Sequence, residues 1–283
     1  MGGAGRGSPS AVDQPRPAWT FTELRLWGYG RVTLVDGREA VDDPVLTAQR
    51  TVASLRRWVA LDRDRHLPDL AGAVNNLAVD LSEAARPNEA LAAAREAVDL
   101  YRELVGIDRD THLLIFAISM NNLTLRLAEA GRPREGLGAA RETVELHREL
   151  IELRGEAHLP DLAGAINTLA VYLCTARRPR EAVAAAREAV ELHQKLIALD
   201  RPAHLPNLAA SLDTLAEALA GVGRSGEALA AARGAVELFR ELLEAEGEVR
   251  SPDQTISTAV PDRRLAAALS RQKMLEQVHE PSA

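Results

Sequence analysis

HLPDLAGAVNNLAVDLSEAARPNEALAAAREAVDLYRELVGIDRDT, residues 66–111, is followed by three more copies that keep its landmarks with no residue gained or lost. His66, His112, His158 and His204 stand 46 residues apart, and each precedes a leucine: Leu67, Leu113, Leu159 and Leu205. Leu77, Leu123, Leu169 and Leu215 hold the same register, as do Arg86, Arg132, Arg178 and Arg224, and Glu89, Glu135, Glu181 and Glu227. A constant period of this length is the mark of a stacked array, because one unit cannot cover its own apolar stripes and needs its neighbours to do so.

Two helical stripes alternate with two breaks inside each unit. Leu70, Val74, Leu77, Ala78 and Leu81 recur at three- and four-residue intervals, which predicts a first helix from Pro68 to about Glu83. Proline suits a first turn, whose N–H groups lack partners inside the helix, and Asp69 suits the positive end of the helix dipole. The stripe breaks at Ala84-Ala85-Arg86-Pro87, where the second copy has Gly131, a residue suited to a left-handed helix end. A second helix is expected from about Asn88 to Ile107, with Ala90, Ala94, Ala97, Val98, Tyr101 and Leu104 on one face. Its other face repeats an arginine four residues before an acid, as in Arg95 with Asp99, Arg141 with Glu145, Arg187 with Glu191 and Arg233 with Glu237, which reads as pairing along one helix. Each helix has about 19 residues and a length of roughly 28 Å.

Residues 45–250 therefore read as an all-α solenoid of antiparallel helix pairs: a capping helix over 45–64, then repeats starting near 66, 112, 158 and 204. The cap follows from Ala48 to Asp64, where Val52 takes the place of Val98 and Trp58 that of Leu104. After Leu243 the register fades, and residues 251–283 read as a linker and a C-terminal capping helix with Leu265, Leu269 and Leu275 apolar. Residues 1–44 stand apart. Met1 to Trp19 is expected to be disordered, and Thr20 to Val35, around Gly28-Tyr29-Gly30, to form a short hairpin or a loose strand-like segment.

Composition narrows the function classes. The 283 residues are 46% hydrophobic and only 3% aromatic, with Ala and Leu dominant, and the net charge of -7 speaks against affinity for nucleic-acid phosphates. A single cysteine, Cys174, can form neither an internal disulfide nor a thiolate cluster by itself. The N-terminus lacks the apolar stretch of a signal peptide, and no run approaches the ~20 apolar residues needed to cross a bilayer, so a cytoplasmic protein without a membrane partner is expected. The four repeat histidines lie roughly 16–20 Å apart at two helix spacings per unit, too far to share one metal ion. His147 and His193 occupy the slot of Tyr101 and Phe239 and read as packing residues. Gly28-Tyr29-Gly30 lacks the third glycine and the following helix of a phosphate loop. No catalytic residue, cofactor or metal is assigned.

The stripe Val74-x2-Leu77-Ala78-x2-Leu81, followed by Ala90-x3-Ala94, resembles the tetratricopeptide repeat (TPR). Met120-x2-Leu123-Thr124-x2-Leu127, Ile166-x2-Leu169-Ala170-x2-Leu173 and Leu212-x2-Leu215-Ala216-x2-Leu219 repeat it. Asn75-Asn76-Leu77-Ala78 and Asn121-Asn122-Leu123 are similar to the long-period subtype of kinesin light chains and bacterial arrays. The period departs from the usual value of about 34, and alanine stands where the second helix commonly carries phenylalanine, which bears on curvature more than on fold class. The resemblance implies a right-handed superhelix whose first helices line a concave groove for a peptide. On that resemblance the groove positions are Asn75, Asn76 and Val79, then Asn121, Asn122 and Leu125, then Asn167, Thr168 and Val171, then Asp213, Thr214 and Glu217. A ladder of amides, each both donor and acceptor, satisfies a peptide backbone without reading its sequence; the same asparagines have an alternative role in bonding neighbouring helices. The basic clamp that captures a terminal carboxylate in some members is missing, with Gly72, Ile118, Gly164 and Ala210 at the corresponding places. The implied function is a non-enzymatic scaffold or adaptor for a protein or peptide ligand. Two alternatives stay open: an enzyme or biosynthetic accessory with a small-molecule site in the groove, and a homo-oligomer assembled through the solenoid ends.

Overall fold

A computed structural model describes residues 43–249 and 259–279. The hairpin or disorder expected within residues 1–42, and the linker expected from residue 251, lie outside the described residues. Ten α-helices follow one another, with no strand among the described residues: α1 (Pro44–Leu61), α2 (Arg63–Glu83), α3 (Pro87–Ile107), α4 (Arg109–Glu129), α5 (Pro133–Arg154), α6 (Leu159–Thr175), α7 (Pro179–Ile197), α8 (Arg201–Gly221), α9 (Ser225–Val249) and α10 (Ala259–His279). Each helix packs on the next, and short turns make consecutive helices antiparallel. The pairs α2/α3, α4/α5, α6/α7 and α8/α9 correspond to the four repeats, α1 supplies a second helix ahead of them, and α10 packs on α9 and α8. First helices of neighbouring units also meet, α2 with α4 and α6 with α8. The result is the all-α solenoid that the period implies.

Three first helices start five residues before the repeat position that Pro68 holds in the first unit. Asp62, Asp108 and Asp200 cap them, accepting from the backbone N–H of Arg65 (3.3 Å), Thr111 (3.2 Å) and Ala203 (3.1 Å). A capping aspartate contributes about 1 kcal/mol, and Leu67, Leu113 and Leu205 in the added turn are buried. Pro68 and Pro206 consequently lie inside helices. The third unit lacks the cap because Arg154 takes the aspartate's place. There Gly155 turns at φ +84°, a short 3-10 turn spans Glu156–His158, and α6 begins at Leu159 with Pro160 in its first turn, as the proline rule requires.

The turn between the two helices of each unit needs a left-handed residue. Ala85 (φ 56°), Gly131 (φ 67°), Arg177 (φ 55°) and Gly223 (φ 77°) occupy one repeat position. At Ala85 the Arg86 N–H donates to the Leu81 carbonyl and the Ala85 N–H to the Ser82 carbonyl, both at 2.9 Å, and the other three turns repeat this helix-ending pair. Only glycine adopts that conformation without crowding its Cβ. Ala85→Gly and Arg177→Gly are therefore expected to raise stability by roughly 1 kcal/mol each, read as a higher thermal midpoint. Gly131→Ala should lower it by a similar amount.

Small residues sit where helices cross. Ala71, Ala78, Ala90, Ala94 and Ala97 are fully buried, while Leu67, Leu81 and Leu104 fill the space between pairs. Tyr101, His147, His193 and Phe239 share one repeat position and are all buried. The apolar core falls into an α1–α5 cluster ending at Leu150, a second running from Val144 to Leu275, and a small third of Ala209, Ala235, Val236, Phe239 and Ala268 joining α8, α9 and α10. The first two divide where α6 meets the second unit. There the Tyr172 side chain is wedged in, its hydroxyl donating to the Thr124 carbonyl and its ring against Gly136.

The outer face corrects one expectation. Arg95, Arg141 and Arg187 do not take the acid four residues along; they reach Glu135, Glu181 and Glu227 on the next unit's second helix, and Arg233 reaches Glu276 of α10. Arg56 with Glu96, Arg102 with Glu142 and Arg148 with Glu188 make a parallel ladder. The acid four residues along competes poorly because a second carboxylate, offered by the next helix, comes within reach of the same guanidinium. Exposed pairs contribute about 0–1 kcal/mol each, so the ladders fix spacing more than they stabilise.

Candidate functional site

The inner face is defined by contacts that join one first helix to the next. Asn122 Nδ2 donates to Asn75 Oδ1 at 3.1 Å, and Ser82 Oγ donates to Glu129 Oε2 at 2.8 Å, so α2 and α4 share these groups. At the far end Arg271 of α10 lies 3.2 Å from Asp213 Oδ1 and 3.1 Å from Glu217 Oε2 of α8. α2 meets α4 and α6 meets α8 along this face.

The twelve groove positions named from the sequence divide by accessibility. Asn75 and Thr214 are buried, at 4% and 8% exposed, and the Asn75 carbonyl oxygen is occupied by Asn122. Asn76, Val79, Asn121, Asn122, Leu125, Asn167, Thr168 and Asp213 are partly buried, whereas Val171 and Glu217 are exposed. The Thr168 and Thr214 hydroxyls donate to the Gly164 and Ala210 carbonyls of their own helices. Asn167 Oδ1 is buried with no hydrogen-bond partner. Val79, Leu125 and Val171 occupy one repeat position, which Glu217 takes in the fourth unit.

Burial controls the titrating groups along this face. It pulls the Arg126 guanidinium below its usual range, against the opposing carboxylates of Glu129, at 3.0 Å, and Glu83. It raises the Asp213 carboxyl, which Arg271 partly restores. The Cys174 thiol is pushed up to about 11, first by burial and then by Glu217, which leaves it protonated and a poor nucleophile at neutral pH. Among the described residues, no three His, Cys, Asp or Glu side chains converge as metal ligands would.

Sequence reasoning missed two features of the outer surface. Between α3, α4 and α5 a cavity of about 280 Å³ is floored by Val98, Met120 and Leu123 and bounded by Arg95, Arg102, Glu135 and Glu142. One repeat on, a cavity of about 370 Å³ has Val144, Ile166 and Leu169 in the same places. The signal was present: a glutamate follows each of Arg56, Arg95, Arg102, Arg141, Arg148 and Arg187 by 40 residues. The second feature is a row of exposed aliphatic residues, Leu61, Ile107, Leu153 and Leu199, at the ends of the second helices.

A tetratricopeptide repeat family model matches residues 70–112, 116–158 and 162–203, one match opening in each of the first three units. These are tetratricopeptide repeats. Among solved structures, BtubC (BKLC) from P. vanneervenii is similar to the TPR array with a TM-score of 0.53 at 17% identity, over 87% of this chain and 96% of that one. A putative kinesin light chain from Podosopora anserina with nearly identical TPR-like repeats is 19% identical, with a TM-score of 0.47 over 73% of this chain and 91% of that one. At these identities the likeness is one of fold. No curated protein matches the sequence. Among the described residues no helix is long and apolar enough to cross a membrane.

Proposed function

We propose that this TPR array is a non-enzymatic scaffold or adaptor that holds a protein or peptide segment against the inner face of α2, α4, α6 and α8. The observation that supports the reading is what the first helices share at equivalent positions: the aliphatic Val79, Leu125 and Val171, and the amides of Asn76, Asn121, Asn122 and Asn167, all at least partly accessible. Aliphatic side chains supply affinity by leaving water, and amides satisfy a bound backbone at the same time. Asn75 acts from beneath, holding Asn122 in place. A neutral Cys174 on this face, and His147 and His193 buried in the packing, favour binding over chemistry.

The test is capture of partners from lysate by the immobilised protein, compared with a Leu125→Asp/Val171→Asp variant. Val171 is exposed and Leu125 partly so, and the variant is compared only after circular dichroism shows that its helicity is retained. Wild-type protein is expected to retain specific partners that the variant loses. Retention of the same partners by both would remove the groove from the account.

A further inference from the structure

We infer that residues 20–35 of this chain lie on the open face of α1, the seat that a first helix takes in each complete unit, and so close the N-terminal end of the array. The face shows itself when α1 is set beside the helices that share its repeat positions. Among the described residues α1 packs on α2, as each second helix packs on the first helix after it, but no first helix precedes it. Val45 and Val52, which α2 covers, are as buried as their counterparts Leu91 and Val98. Ala94, Ala97, Tyr101 and Leu104 are buried too, because α3 lies between α2 and α4. At the same positions of α1, Ala48, Thr51 and Leu55 are only partly buried and Trp58 is exposed. The contrast is largest at Trp58, which is 52% exposed where Leu104, Leu150 and Leu196 are 3%, 0% and 4% exposed. These four residues recur at three- and four-residue intervals, so they make one stripe along α1. A terminal helix of a stacked array needs such a stripe covered.

The occupant is identified by where the chain runs and by its register. At the other end the chain covers itself: α10 packs on α9 and α8, with Ala268 joining Val236 and Phe239 in one buried cluster. The residues that can do the same for α1 are those joined to it, ahead of its capping Asp43. In each unit the covering helix comes immediately before the helix it covers, and the 46-residue register puts residues 17–37 at the place of α2. On that register Phe21, Leu24, Val32 and Val35 stand for Leu67, Leu70, Ala78 and Leu81, all of them buried in α2. Arg25, Gly28 and Arg31 break the pattern at the places of Ala71, Val74 and Leu77, so the segment is an irregular cap and not a fifth copy of the repeat. Residues 2–18, by contrast, offer Val12 as their one bulky aliphatic side chain. A tethered segment also meets the face at a high effective concentration, an advantage that a separate partner lacks.

Hydrogen–deuterium exchange of the full-length protein tests this, with a Phe21→Asp/Leu24→Asp/Val35→Asp variant and a Val12→Asp control. Amides of α1 in the triple variant should exchange about tenfold faster than in wild type. Those of α6 and α7 should be unchanged, which shows that the array itself is folded, and the control should match wild type throughout. The rate in wild type should not depend on protein concentration. Equal α1 exchange in wild type and the triple variant overturns the assignment and leaves the face to another protein. The same acceleration in the control overturns it as well, since any charge in the N-terminal residues would then suffice. Protection of α1 that grows with protein concentration gives the face to a second copy and overturns it equally.

Discussion

Gly136→Ala will destabilise the array by roughly 2 kcal/mol, although alanine is the better helix former and stands at this position in the other three units as Ala90, Ala182 and Ala228. A Cβ built on Gly136 falls 2.1 Å from Tyr172 Cε1 and 2.3 Å from its Cζ, inside any real contact distance. The ring cannot swing away freely, because Tyr172 is 5% exposed and its hydroxyl is tied to the Thr124 carbonyl. Burial pushes that hydroxyl's pKa up to about 12, so it stays a donor throughout the neutral range. Gly138, two residues along the same helix, has nothing within 4 Å of its Cβ position, and Gly138→Ala should stabilise by about 0.5–1 kcal/mol. The contrast in sign separates the clash from helix propensity. Tyr172→Ala leaves a cavity and is destabilising alone, but in that background Gly136→Ala should become favourable, so the double-mutant cycle shows a strong coupling. Urea midpoints of the four proteins give the result directly. A neutral Gly136→Ala would mean the ring has room to move, and the wedge between the second and third units would have to be abandoned.

The same pair shows how much of the fold was legible in the sequence. The helix pairs were legible because each stripe is written four times, and the two units that depart from the pattern do so together: tyrosine enters at 172 where Asp80, Arg126 and Ala218 stand, and glycine enters at 136 where alanine is the rule. Two departures in adjoining units are the signature of a contact between them, since each makes room for or fills the other. The helix starts are less legible, because Pro68 and Pro206 imitate a first turn while Asp62, Asp108 and Asp200, repeated in three units, carry the cap. The arginine ladder is illegible within one helix, because a 40-residue spacing has meaning only once neighbouring units are side by side. The groove was less legible. Helical periodicity places Asn75, Asn121, Asn167 and Asp213 in one row, but whether such a residue bonds its neighbour or faces solvent depends on how closely two first helices approach. That separation is set by packing between units, which a one-dimensional pattern does not carry.

Acidification from pH 7 to pH 5 will cost the array about 2 kcal/mol through His193 alone. His193 is 1% exposed, and burial lowers its pKa from 6.5 to about 4, with His204 adding to the depression and a backbone bond to Ala189 opposing it. Its Nδ1 lies 3.0 Å from Ser211 Oγ, while Nε2 is buried with no partner, so an imidazolium would hold one N–H with nothing to receive it. The sign follows from which state takes the proton first. Between pH 6.5 and 4 the unfolded chain binds a proton that the folded chain refuses, so stability is complete above 6.5, falls as pH drops through this window and levels off below 4. His147, one unit earlier, is lowered for the same reason, and its Nδ1 lacks a partner because Ala165 stands where Ser211 serves His193. The carboxylates act lower down. Glu103, Glu149 and Glu241 are held below their usual range chiefly by hydrogen bonds from Arg63, Arg109 and Arg201, so their share is lost only below about pH 4.5. The interval from pH 7 to pH 5 therefore belongs to the histidines. His193→Phe installs the residue that the fourth unit carries as Phe239, and thermal midpoints of this variant should change less across that interval than those of wild type. Adding His147→Phe should flatten the dependence further. A wild-type midpoint that does not move between pH 7 and pH 5, or a variant that falls as steeply, would show that both imidazoles accept their proton without opening the junctions that bury them.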